Sequence, residues 1–196
     1  MTEVKTMDQA VKAASEKESK YLTFALAEEE YGIGILKVKE IIGMMAITSV
    51  PQTPPFVKGV INLRGKVIPV VDLRLKFGMP EMAYTERTCI IVVEIAGEGR
   101  GTVNTQMGIV VDAVSEVLNI KAEDVEETPT FGAALNTDFI LGMAKMDGGV
   151  KILLDIDKVL SRQEFETVTA VKSQESPPPA EAVPEQAEAM PEQINA

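Results

Sequence analysis

FVKGVINLRGKVIPVVDLRLKF, running from Phe56 to Phe77, decides how the rest of the chain is read. Two apolar runs, Gly59–Leu63 and Lys66–Leu73, flank the pair Arg64-Gly65. Their Val and Ile suit a pleated, half-buried strand, where a branched side chain packs well. Two residues ending in Gly form the loop of a tight hairpin, because Gly accepts the positive φ that such turns need. After Leu73 the pattern becomes one short helical turn that stops at Gly78. The unit reads strand, tight turn, strand, helical turn.

A second copy lies downstream. Sliding the sequence by 83 positions sets FVKGVINLRGKVIPVVDL against FILGMAKMDGGVKILLDI, Phe139 to Ile156. Phe56, Gly59, Gly65, Val67 and Asp72 then fall on Phe139, Gly142, Gly148, Val150 and Asp155. The second turn is Asp147-Gly148, a strong hairpin signal. Upstream, Tyr31 to Ile42 (YGIGILKVKEII) matches Met107 to Leu118 (MGIVVDAVSEVL) at a slide of 76, setting Glu40 on Glu116. Both blocks keep their order, so the chain is an internal duplication.

Read in order, the first half offers strands at Tyr21–Leu26, Tyr31–Ile35 and Ala46–Val50, with Val38–Ile42 either a strand or a helical turn. The second half opens on the continuous apolar run Thr88–Ile95, and Asp157 to about Val168 suits an amphipathic closing helix. The fold expected is mainly β: two small five-stranded SH3-like barrels, with short helical turns and a closing C-terminal helix. The boundaries expected are a flexible segment over 1–19 and one domain over 20–165. Within that domain, barrel one covers about 20–80 and barrel two about 88–160. A single large sandwich is the competing architecture.

Composition narrows the function. The net charge is −11, from 19 basic and 30 acidic residues, and an acidic protein repels phosphate backbones and anionic lipid. Nucleic acid is therefore not expected as a partner, nor is direct membrane insertion. The apolar runs are far shorter than the ~20 residues that span a bilayer, and the N-terminus lacks the apolar core of a signal peptide. The single cysteine, Cys89, fits a reducing, cytoplasmic setting. Ser173 to Ala196 holds five Glu, five Pro and no Lys or Arg, the composition of a disordered acidic tail over 173–196.

Catalytic constellations are thin. The sequence has no histidine, the commonest general base and metal ligand. No cofactor or metal is expected. Asp72 and Asp155 invite a paired-carboxylate reading, a hydrolase built on carboxylates alone. The repeat gives them a simpler role, because both stand where a strand hands over to a helical turn and Asp caps free N–H groups. Polar positions that differ between the copies are freer to carry function. Asn62 falls on Lys145, and Arg64 on Asp147, reversing the charge at the hairpin tip. Arg64, with Asn62 and Lys58 beside it, is a candidate contact for an acidic partner.

The stretch VPQTPPFVKGVINLRGKVIPVVDLRLKFG closely resembles the signature region of the CheW-like family of chemotaxis coupling proteins. EEYGIGILKVKEI, GIVVDAVSEVLNI and FILGMAKMDGGVKILLDIDKVL resemble its other motifs, so the likeness runs from about Lys20 to Ser161. The resemblance implies two five-stranded barrels and a non-enzymatic adaptor. Its implied partners are the cytoplasmic tips of methyl-accepting chemoreceptors and the regulatory domain of the chemotaxis histidine kinase. The setting is cytoplasmic, with recruitment to membrane-associated receptor arrays. Carried over position by position, Val38, Glu40, Lys58, Gly59, Arg64, Cys89 and Val117 fall where family members have receptor- or kinase-linked residues. Two roles stay open for Arg64: touching a partner, or pairing with Glu40 and so shaping the surface. An adaptor of the same fold in another receptor–kinase pathway, such as surface motility, is the alternative.

Overall fold

The computed structural model describes residues 18–96, 104–128, 137–146 and 149–173. The N-terminal segment before Glu18, the Asp147-Gly148 turn and the acidic tail lie outside them.

The first half contributes β1 (Glu18–Leu26), β2 (Glu29–Gly34), β3 (Val38–Gly43), β4 (Val57–Leu63) and β5 (Lys66–Asp72), then a four-residue helix α1 (Leu73–Lys76). The second contributes β6 (Cys89–Ile95), β7 (Thr105–Val111), β8 (Ala113–Lys121), β9 (Val125–Glu126), β10 (Ile140–Met146) and β11 (Gly149–Leu154). Helix α2 (Arg162–Ser173) closes the described chain. The mainly β expectation is met, and Val38–Ile42 resolves as strand rather than helical turn. Ala46–Val50 is only a lone bridge from Thr48 to Val60. The first strand starts at Glu18, inside the segment expected to be flexible.

The strands divide into two sheets, but not at the boundary between the halves. One sheet runs β8-β1-β2-β11-β10-β9 and the other β3-β6-β7-β5-β4. Each takes its central pair of strands from one half and its flanking strands from the other. The strands of each sheet therefore cross the expected boundaries of about 20–80 and 88–160, an exchange between the halves that is compatible with two barrels but not with each being contiguous in sequence. The physical reason lies in β2 and β7: each is followed by a short corner that carries the chain into the opposite sheet, where β3 pairs with β6 and β8 with β1.

The repeat is exact in its irregularities. β1 and β8 shift register between Leu22 and Phe24, and β3 and β6 shift between Val38 and Glu40. β4 bulges before Gly59 and β10 before Gly142. At those bulges a third segment crosses closely. A Cβ on Gly59 would lie 2.0 Å from the Thr48 carbonyl oxygen, and one on Gly142 would lie 2.8 Å from that of Glu126. The parallel contacts differ. β11 meets β2 over four residues, Lys151–Leu154, whereas β5 meets β7 only over Val70–Asp72. Val60 exchanges both backbone bonds with Thr48, so Pro69 opposite it faces β7. A proline has no N–H to offer there, and the pairing stops.

Burial follows. A core shared by both halves includes Phe24, Ile33, Val71, Ile91, Val93, Ile109 and Leu154. Ile61, Ile68, Val70, Ile90, Val92 and Val110 fill a second cluster within one sheet, and Ile120, Ala144 and Leu153 a smaller one within the other. Alternate residues of β6 thus enter different clusters. A strand covered on both faces reads as an unbroken apolar run.

The closing helix begins later than expected. Asp157–Leu160 is a turn that buries Val159 and Leu160, and α2 starts after Ser161. Ser161 Oγ accepts from the Glu164 N–H at 3.3 Å, and Glu164 Oε2 accepts from the Ser161 N–H at 2.8 Å, a reciprocal capping box. The helix reaches Ser173, so the acidic tail begins no earlier than residue 174.

Candidate functional site

The hairpin tip shows what its sequence can build. Arg64 has φ +53° and Gly65 φ +83°, so both turn residues are left-handed, as a two-residue hairpin requires. Asn62 Oδ1 accepts from the Gly65 N–H at 2.8 Å, which commits its amide to closing the turn. From that tip Arg64 reaches back to Glu40 on β3, with guanidinium-to-carboxylate distances of 2.8 and 3.4 Å. β3 and β4 are the two end strands of their sheet. The pair is therefore a clasp that brings the ends of one sheet together.

The clasp leaves most of the Arg64 side chain in solvent, while Glu40 is about one-quarter exposed. Lys66, the residue after the turn, is exposed. Val38 is half-buried on β3, two residues before Glu40, and packs onto the shared core. Cys89 begins β6, opposite Gly43 at the far end of β3. Burial pushes its thiol above the usual range, although a bond from the Val114 backbone opposes this, so its reactive thiolate form is disfavoured.

Lys58 and Gly59 occupy the β4 bulge. Gly59 is buried, and its φ of +137° together with the nearby Thr48 carbonyl leaves no room for a side chain. Lys58 donates to Glu81 Oε1 at 2.8 Å, a bond that raises its own pKa and lowers that of Glu81. The structure thus brings Val38, Glu40, Lys58, Gly59, Asn62, Arg64 and Cys89 to one sheet. Val117 stands apart, half-exposed on β8, an end strand of the other.

Sequence reasoning missed Ile41, which is 45% exposed on β3. The signal was present, because a slide of 76 sets Ile41 on Val117. It also missed Leu36, 90% exposed in the corner between β2 and β3, and Leu141, 51% exposed at the β10 bulge. Both line an open cleft of about 440 Å³ with Tyr21, Ile35 and Ile156, beside Lys20 and Lys37.

The two aspartates have local duties. Asp72 Oδ1 accepts from the Leu75 N–H at 3.2 Å as the N-cap of α1, and Asp155 Oδ1 accepts from the Asp157 N–H at 3.2 Å. Burial pushes the Asp72 carboxyl up, against bonds from the Leu75 and Arg74 backbone that pull it down. Capping accounts for both without invoking a reaction.

One further arrangement joins the halves. Arg74 of α1 is buried against the Asp112 carboxylate, which also accepts from the Ala27 N–H at 2.7 Å. In the counterpart corner Asp157 accepts from the Ala96 N–H at 2.8 Å and pairs with Lys37 at 2.5 Å. A carboxylate meets the residue after each first strand, but the charges are exchanged between the contributing elements.

The CheW-like domain family matches residues 20–164. The chain is 43% identical to the chemotaxis protein CheW of Klebsiella aerogenes over 151 residues, covering 77% of this chain and 87% of that one. It is 31% identical to the chemotaxis protein CheW of Rhizobium meliloti over 160 residues, covering 82% and 99%. Its fold is similar to the crystal structure of scaffolding protein TtCheW from Thermoanaerobacter tengcongensis, with a TM-score of 0.64 and 37% identity over 74% of this chain and 94% of that one.

Proposed function

This chain belongs to the CheW-like domain family and is a chemotaxis coupling adaptor, and we propose that it bridges the cytoplasmic tip of a methyl-accepting chemoreceptor to the regulatory domain of the chemotaxis histidine kinase. The reading is non-enzymatic: the protein works by holding two partners in one geometry, so that receptors control autophosphorylation of the kinase. It acts in the cytoplasm and is recruited to the membrane through the receptors it binds. Among the described residues no helix is long and apolar enough to cross a membrane.

The observation that carries the proposal is the pairing of exposed aliphatic side chains with a formed polar clasp. Ile41, Leu141 and Val117 present apolar surface in the two sheets, and Leu36 does so in the corner between β2 and β3. Leu36 and Leu141 wall an open cleft, a setting in which an amphipathic helix can seat its apolar face. Arg64 and Glu40 fix the shape of the neighbouring sheet and leave part of the guanidinium free. Arg gains from its planar fork at such a site, since it can serve two carboxylates. Val38, Lys58 and Cys89 then frame the same surface, while Gly59 and Asn62 act through the backbone they shape.

Titration calorimetry of the purified chain against a receptor cytoplasmic fragment and against the kinase regulatory domain tests this. Binding to both is expected, weakened toward the receptor by Leu36→Asp, with the fold checked by circular dichroism. A folded protein that binds neither cognate fragment would leave a likeness of fold without the coupling role.

A further inference from the structure

Two cations of the proposed surface are already occupied, and in different ways. Arg64 is met by Glu40 on a strand, whereas Lys58 is met by Glu81, on a connector between α1 and β6 that forms neither helix nor strand. That connector is tied at both ends. The Met79 N–H donates to the Arg74 carbonyl at 2.8 Å, Arg74 Nε donates to the Pro80 carbonyl at 3.3 Å, and the Thr85 N–H donates to Thr88 Oγ1 at 2.8 Å. Between the ties lie Glu81, Met82, Ala83 and Tyr84, all exposed. Glu81 and Tyr84 both turn toward Lys58, which also feels the buried Asp72 carboxyl. Met82 and Tyr84 keep 55% and 44% of their surface in water, an apolar pair beside a cation.

We propose that Glu81–Tyr84 is an internal strap that occupies Lys58 in the free protein and is displaced by a partner segment offering its own carboxylate next to an apolar side chain. The inference rests on the coupling reading above, in which Lys58 belongs to the partner surface. Its physical basis is exchange between like contacts. The Glu81 carboxylate is 65% exposed, and ion pairs of that kind are weakly held. Replacing it with a partner carboxylate keeps Lys58 paired throughout, so its charge is never stranded. The new pair forms where water is excluded, which strengthens it. Exposed Met82 and Tyr84 offer apolar surface for the residue beside that carboxylate. The strap also sets a threshold, because an acidic segment without the apolar neighbour gains no more from Lys58 than Glu81 already does.

The test uses the full chain with a receptor cytoplasmic fragment and, separately, the kinase regulatory domain. Glu81→Gln removes the competing charge and keeps the shape, so binding of one fragment should tighten by roughly two- to fivefold, the range expected for a surface ion pair. Lys58→Gln should weaken that binding, and Glu81→Gln added to Lys58→Gln should change nothing further. Amide exchange over residues 81–84 should speed up when that fragment is bound. Binding of wild type that is unchanged or weakened by Glu81→Gln overturns the strap alone. Wild type that binds neither fragment overturns the coupling reading and this inference with it.

Discussion

The two sheets are built to one plan and finished differently at their edges. Five corresponding strands follow the same order in both, with β9 added at the edge of one, and both carry matching register shifts and a glycine where another segment crosses. The sheet of β3 and β4 closes its ends with Arg64 and Glu40. At the matching positions of the other sheet the sequence has Asp147 and Glu116, two acids that cannot pair. Lys145 instead meets Glu126 at 2.6 Å, with both side chains largely exposed. Backbone geometry is thus shared by the copies, because any copy must solve the same packing problem. Charge is where they part, and the formed clasp marks the sheet that gathers most of the proposed partner residues.

The strongest way to break this comparison is at the crossing glycines. Gly59→Ala combines a clash with backbone and a φ of +137°, so it should destabilise by about 4 kcal/mol or fail to fold. Gly142→Ala clashes with Val125 Cγ1 at 2.5 Å and with the Glu126 carbonyl at 2.8 Å, both on the two-residue β9. That short strand can shift, so a smaller loss, about 2 kcal/mol, is expected in urea unfolding. Equal losses would mean that the two crossings are equally rigid.

The exchanged corners come next. Arg74 is almost fully buried, so Asp112→Ala strands a cation and should cost about 3 kcal/mol. Lys37 is about one-third exposed and Asp157 about one-quarter, and Lys37→Ala should cost under about 1 kcal/mol.

Acid sharpens the contrast between local carboxylates. For Glu164, burial raises the pKa, but the bonds from Lys76 and Ser161 outweigh it and the net pKa is lowered. Its contribution is present above the unfolded pKa and is lost as pH falls through the lower, folded value. Asp72 has the opposite sign: its folded pKa is raised by burial, so it contributes least at neutral pH and protonation relieves it. Stability curves from pH 7 downward should therefore lose an acid-sensitive component in Glu164→Gln. In Asp72→Asn they should lose a component that favours the fold as pH falls toward the unfolded carboxylate pKa.

The smallest effect on folding is expected at the tip. Arg64→Gly removes the clasp but relieves a left-handed arginine, so stability should stay within about 1 kcal/mol of wild type. That variant separates the role of Arg64 in folding from its role at the surface.

The strands, the duplication and the paired aspartates were legible because each depends on local pattern. Val and Ile runs mark β4 and β5, and Asp72 and Asp155 recur at the same handover to a turn. The exchange of strands was not legible. An apolar run such as Cys89–Ile95 declares that both faces are buried, but not that Ile90 and Ile91 enter different clusters from a strand shared between halves. The late start of α2 was written in Ser161 and Glu164, whose capping spacing is local, yet the apolar spacing of Val159 and Leu160 masked it. At the candidate site, Arg64 stood out by its contrast with Asp147. Its bond to Glu40 crosses 24 residues, so local pattern does not show it, and the family resemblance alone raised that pairing as one of two roles.

The most direct test of the coupling claim is whether the chain holds both partners at once. A receptor cytoplasmic fragment and the kinase regulatory domain would be sedimented together with wild type, with Arg64→Gly and with no adaptor. The account predicts one complex of all three with wild type, no co-sedimentation without it, and a marked loss with folded Arg64→Gly. Folded wild type that binds each partner singly but never both together would contradict it.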